Sequence, residues 1–146
     1  MFKTVVWATD GSEAADRALP YAKALAAGGS LLVVHSKERL VGGRSAGYPV
    51  LADEEELEAK VKGQVDELQK EGVSATFHLE SGTAGHAAQM IADAAEEAGA
   101  DVIVVGTRGH SPVAGLLLGS VTQRLLHIAS CPVLAVPPAA EPPSKA

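Results

Sequence analysis

The chain has 146 residues, enough for one domain and hardly two. Hydrophobic residues make up 47% and charged residues 21%, a globular balance; 12 Lys plus Arg against 18 Asp plus Glu leave a net charge of −6, which argues against a nucleic-acid binder held by a basic stripe. Apolar runs fall far short of the ~18 residues of a membrane span, so neither nucleic acid nor a membrane is expected as a partner.

The opening Met1-Phe2-Lys3-Thr4-Val5-Val6 runs straight into a strand-like segment and lacks the order of a signal peptide. The single cysteine, Cys131, cannot form an internal disulfide, so a cytoplasmic location is expected. Aromatics at 3% leave no platform for stacking bases.

Val5 to Thr9 is a short apolar run broken by Asp10-Gly11-Ser12, in which Ser12 is a good N-cap. Ala15, Ala18, Leu19, Ala22, Leu25 and Ala26 then recur at helical spacing, and Gly28-Gly29 stops the helix. Leu31 to Val34 is a second apolar run. Arg39 to Ala52 holds Gly42, Gly43, Gly47 and Pro49, has no period and reads as a mobile, ligand-responsive loop. Asp53-Glu54-Glu55-Glu56 is a solvated acidic helix start, suited to the dipole, and Leu57, Val61, Val65 and Leu68 stripe that helix as far as Gly72. Val73, Ala75, Phe77 and Leu79 alternate with polar residues as a half-exposed edge strand does, and Gly82-Thr83 breaks the pattern. Ala87, Ile91, Ala94 and Ala98 mark a third helix. Val102 to Val105 is the most apolar strand and should be central. Gly106 to Gly119 is a glycine-punctuated loop. Val121, Leu125 and Ile128 mark a fourth helix, and Pro132 to Val136 a fifth strand. Four of the eight prolines lie from Pro137 onward, so residues 1–136 read as a single domain and 137–146 as a disordered tail.

Continuous apolar runs that alternate with helices predict parallel strands covered on both faces. With right-handed crossovers the order gives an α/β fold: a doubly wound, Rossmann-like five-stranded parallel sheet, strand order 3-2-1-4-5, with helices on both faces. Ligands bind such sheets beyond the C-terminal strand ends, where the order reverses. The loops after strands 1 and 4 face each other there, and they carry the most chemical punctuation.

The second of them reads Gly106-Thr107-Arg108-Gly109, nine further residues, then Gly119-Ser120-Val121-Thr122 at a helix start. Glycines let backbone N–H groups approach an anion, the helix N-terminus adds donors and a dipole, and Ser120 and Thr122 add hydroxyls. A positive φ is expected at Gly119. The plainer alternative stays open: Gly106 ends a strand, Gly119 makes a turn and Ser120 is an N-cap.

Here the sequence resembles the universal stress proteins, specifically the nucleotide-binding branch with its Gly-x2-Gly-x9-Gly-Ser/Thr fingerprint. Gly106, Gly109, Gly119 and Ser120 match it without a change in spacing. Ala8 to Ser12, Val33-Val34-His35, Gly82, Leu117 to Thr122 and Cys131 to Val136 are similar to further family segments in the right order. The resemblance implies ATP in the crevice, with Mg2+ or Mn2+ as accompanying ion. Carried over, Asp10 would bond the adenosine part with Ala8 and Thr9 beside it. Ser36 falls where relatives often have a valine meeting the adenine through its backbone. Gly106, Thr107, Arg108 and Gly109 would line ribose and phosphates, and Gly119, Ser120, Val121 and Thr122 would hold phosphates.

Other chemistries fit less well. No Gly-x4-Gly-Lys-Ser/Thr is present, so the phosphoryl-transfer lysine of P-loop proteins is missing. Gly109-His110-Ser111-Pro112-Val113 lacks the last glycine of a nucleophile elbow, which ranks a serine hydrolase low. His35, His78, His86, His110 and His127 show no paired metal-ligand spacing; His35 reads as a satisfied structural histidine and Cys131 as a buried small hydrophobe. The expected function is an ATP-binding stress-response module with an unknown protein partner and little or no catalysis. Its alternatives are AMP or cyclic AMP at the same site, and a nucleotide-free interaction module. The last strand is apolar throughout although topology puts it at a sheet edge; this predicts a homodimer through that strand, as the resemblance also implies.

Overall fold

A computed structural model describes residues 2–39, 50–83, 85–107, 119–138 and 141–143. The elements are β1 (Thr4–Thr9), α1 (Glu13–Leu25), β2 (Ser30–Arg39), α2 (Val50–Lys70), β3 (Ser74–Thr83), α3 (Ala87–Ala98), β4 (Val102–Gly106), α4 (Ser120–Ile128) and β5 (Val133–Val136). All strands pair in parallel, in the order β3-β2-β1-β4-β5, as the sequence predicts.

Alternation along the strands splits the core in two. Val5, Trp7, Leu31, Val33, Val102 and Val104 pack with Ala18, Ala22, Val61 and Val65 under α1 and α2. Val6, Ala8, Val34, Ile103 and Val105 pack with Ile91, Ala92 and Leu125 under α3 and α4. β1 has every residue after Thr4 buried and β4 is buried throughout, the signature of strands covered on both faces. Ser12 caps α1, its Oγ accepting the Ala15 N–H at 3.3 Å. Alanines at 15, 18 and 22 let that helix lie close to the sheet in spite of Pro20 in its interior.

Three boundaries differ from expectation. Gly82-Thr83 do not break the strand before them but form its last two residues, because the ladder with β2 continues to Glu38↔Gly82 and Arg39↔Thr83. A Cβ at Gly82 would lie 2.7 Å from Met90 Sδ, so the glycine sits under the flexible Met90 side chain, which would have to shift for any other residue. α2 starts at Val50, so Val50-Leu51-Ala52 are helical and not loop, and Arg39 belongs to β2. Pro49, which reads as a breaker, is compatible with a helix beginning just after it. Residues 40–49 of the expected loop lie outside the described residues. β1 and β2 pair only to Thr9↔His35, so β2 and β3 together extend past the sheet centre.

Cys131 is half-buried, where the sequence suggested a buried residue. That partial burial, with the Asp101 carboxylate near, pushes its thiol pKa up. Of the tail from residue 137, Glu141 meets α1: Tyr21 Oη donates to the Glu141 carbonyl.

Candidate functional site

The turn between β1 and α1 is built from its own polar groups. Gly11 has φ +84°, a left-handed conformation, and a Cβ there would lie 2.7 Å from Leu57 Cδ2. Its N–H donates to Thr9 Oγ1 at 3.0 Å, and the Ser12 N–H donates to Asp10 Oδ1 at 3.0 Å. The Gly11 carbonyl lies before the helix ladder and accepts from Lys60 Nζ of α2 at 2.8 Å. Lys60 also pairs with Asp16 at 2.7 Å, and Gln64 Nε2 donates to the other Asp16 oxygen at 2.9 Å. Under the turn, buried Trp7 donates its Nε1–H to the Ala15 carbonyl at 3.0 Å.

The end of β4 presses on that turn. A Cβ at Gly106 would lie 2.5 Å from the Ala14 carbonyl oxygen, so only glycine lets the strand end approach the first turn of α1. This gives Gly106 a steric reason that precedes any ligand. The next residue, Thr107, donates its N–H to Val136 and accepts the Gly119 N–H through its carbonyl. Its buried Oγ1 has no partner among the described residues.

α4 therefore begins at the strand ends. Its N-cap, Gly119, makes no side-chain capping bond, and no acidic residue occupies the first turn. Gly119 has φ −67° and ψ 156°, extended backbone that other residues adopt, so the expected positive φ is not found. Ser120 is exposed and Val121 half-buried. Thr122 is buried, and its Oγ1 donates to the Gly106 carbonyl at 2.7 Å. That hydroxyl proton is already placed; what Thr122 retains toward a ligand is backbone.

Among the expected site residues, Ala8, Thr9, Asp10, Gly106, Thr107, Gly119, Ser120, Val121 and Thr122 thus lie at or just beyond the ends of β1 and β4 or in the first turn of α4. Ser36 stands apart on β2, one residue past the last β1–β2 pair. Arg108 and Gly109 lie outside the described residues. His35, 1% exposed, is only half satisfied. Its Nδ1 lies 3.0 Å from the Thr9 carbonyl, which can only accept, so Nδ1 carries the proton; buried Nε2 has no partner among the described residues. Sequence reasoning missed Leu57 and Lys60, whose helical stripe and charge gave no sign of the turn that they contact. Among the described residues no three His, Cys, Asp or Glu side chains cluster as metal ligands, and no helix is long and apolar enough to cross a membrane.

The same architecture recurs in known proteins. The chain is 39% identical over 138 residues to a universal stress protein of Thermus aquaticus, covering 93% of this chain and 99% of that one. It is similar to the structure of a universal stress protein in complex with cAMP (TM-score 0.68, 26% identity, 92% of this chain and 97% of that one). It is likewise similar to the universal stress protein from Archaeoglobus fulgidus in complex with dAMP (TM-score 0.65, 27% identity, 93% of this chain and 98% of that one). The universal stress protein family, Usp, matches residues 1–137. With the 3-2-1-4-5 sheet and nearly the whole chain matched, this protein belongs to the universal stress protein family.

Proposed function

We propose that the chain binds an adenine nucleotide, ATP, between the β1–α1 turn and the start of α4, and acts in the cytoplasm as a nucleotide-dependent regulatory module of the stress response with little or no catalysis. One observation carries this reading: α4 starts with no side-chain cap and no acidic residue, beside a strand end packed on the first turn of α1, the helix that the Asp10 turn opens. Such a helix end favours an anion through free N–H groups and the dipole. The buried, unpartnered Thr107 hydroxyl fits the same demand for an acceptor.

In this reading the N–H groups of Gly119, Ser120, Val121 and Thr122 face phosphates, and the family resemblance assigns Arg108 and Gly109 to the same ligand. The Gly119 N–H would exchange the Thr107 carbonyl for a phosphate oxygen. Asp10 accepts from the adenosine part beside Ala8 and Thr9, with Ser36 offering backbone to the base. ATP supplies binding energy and negative charge, and Mg2+ or Mn2+ enters only as the counter-ion of its phosphates. Differential affinity for two conformations would make occupancy a signal to an unknown protein partner. Leu134, 36% exposed on edge strand β5, supports a homodimer through that strand.

The relatives in complex with cAMP and dAMP favour a second reading, an adenine monophosphate in the same crevice. Mass spectrometry of small molecules released by denaturing the purified protein, followed by calorimetric titration with ATP, AMP and cyclic AMP, tests both. ATP released, or ATP the tightest ligand, supports the first reading; tighter AMP or cyclic AMP selects the second; no binding of any of them removes both.

A further inference from the structure

The Gly11–Ser12 peptide is held at both ends. Its N–H donates to Asp10 Oδ1 at 3.0 Å, and its C=O accepts from Lys60 Nζ at 2.8 Å. A peptide group polarises as a unit, so a cation on the oxygen makes the N–H a stronger donor. The cation comes from α2, 49 residues away in sequence, and not from the turn itself. It is aimed by Asp16, which Lys60 and Gln64 grip from the same helix at 2.7 and 2.9 Å. Leu57, one turn earlier on α2, closes the space over Gly11.

We propose that Lys60 is a positioning residue for the Asp10 carboxylate, acting through the Gly11–Ser12 peptide, and that it thereby sets the preference for the adenosine part of the ligand over bare triphosphate. The second half rests on the nucleotide reading above; the first half does not. Asp10 Oδ1 is fixed by the Ser12 N–H, and that bond is fixed by the charge behind it. Lys60 itself touches no ligand in this scheme. Its location on α2 makes the carboxylate's orientation depend on a helix that contributes none of the family fingerprint.

The test uses the full chain. Lys60→Met keeps the stem and removes the charge; Lys60→Arg keeps the charge; Asp16→Asn removes the ion pair and leaves the Gly11 contact. The first readout needs no nucleotide: the Ser12 amide proton shift and its hydrogen-exchange rate by NMR. Lys60→Met is expected to move the resonance upfield and to speed exchange at least fivefold, with Lys60→Arg restoring most of both and Asp16→Asn, which loosens the aim but keeps the charge, giving a smaller change in the same direction. The second readout is affinity: Lys60→Met should weaken ATP about tenfold, or about 1.4 kcal/mol, and leave inorganic triphosphate within twofold. An unchanged Ser12 amide in Lys60→Met overturns the positioning role. Equal loss for ATP and triphosphate, or loss for neither, overturns the claim on preference. If the parent protein binds no ATP, the nucleotide reading falls along with the preference, while the amide measurement still decides whether Lys60 positions Asp10.

Discussion

The Thr122 hydroxyl donates to the Gly106 carbonyl at 2.7 Å, which ties the first turn of α4 to the last residue of β4 across the start and end of the glycine-rich loop. Both groups are buried, so the bond has no competition from water. Thr122→Val keeps the shape and strands the carbonyl, at a cost of about 1–3 kcal/mol. For a domain of this size that is a fall of roughly 3–10 °C in Tm. Differential scanning calorimetry checks it; an unchanged Tm would contradict the stabilising role given to this bond.

Gly106 and Gly119 belong to one fingerprint but answer different constraints. Gly106→Ala drives a Cβ to 2.5 Å from the Ala14 carbonyl oxygen and should cost about 1–3 kcal/mol by overpacking, before any ligand is added. Gly119→Ala, at φ −67°, should stay within about 1 kcal/mol of the parent. Gly119→Val should also fold and lose ATP binding, because its branched side chain crowds the helix end. Chemical denaturation paired with titration separates the cases; a Gly106→Ala protein as stable as the parent contradicts the steric account.

ATP at 100 times its dissociation constant should stabilise the fold by about 2.7 kcal/mol. The matching rise in Tm is on the order of 5–10 °C. No shift at millimolar ATP with Mg2+, in a protein shown to be folded, removes the nucleotide reading.

The β5 dimer is tested at an exposed position. Leu134 is 36% exposed, whereas Val136 is buried at 3%, so a lysine at Val136 would disturb the core as well as any interface. Leu134→Lys should sediment as a monomer at concentrations where the parent is a dimer. A monomeric parent, or a dimeric variant, excludes this interface.

Asp101 receives the backbone N–H groups of Lys3 at 2.8 Å and Thr4 at 3.0 Å, and those bonds, Thr4 first, hold its carboxyl below the usual carboxylate range. Because the folded state depresses this pKa, the contribution is fully present above the ordinary carboxylate value and is lost as pH falls through the folded one. Asp101→Asn should therefore flatten part of the acid limb of stability against pH and change little of its shape near neutrality. An identical acid limb in urea titrations at several pH values would contradict this.

Sheet order and helix faces were legible in the sequence because continuous apolar runs and alanine-rich helices leave few topologies. The boundaries that slipped have local causes. Gly82 looks like a terminator but stays in the strand, because its ladder partner Glu38 on β2 is one that only the fold brings near. Gly106 looks like a phosphate glycine, while its nearest constraint is the α1 backbone. Lys60 carried no signal at all, since a lysine on the polar flank of a helix is ordinary until a backbone carbonyl 49 residues earlier in the chain is placed beneath it.

The bonds from Lys3 and Thr4 to Asp101 also set a clock. The Lys3–Asp101 partners stand 98 residues apart, and β1 takes β4 as its second neighbour. During synthesis at about 5–20 residues per second, one edge of β1 therefore waits on the order of 5–20 s for its partner. For that interval the strand bearing Val5, Val6 and Trp7 is an open template on a growing chain. Ribosome-bound chains that stop short of β4 are expected to be cut readily by protease, and those with β4 and β5 clear of the exit tunnel to resist it, so the fold closes late and from the middle of its sheet.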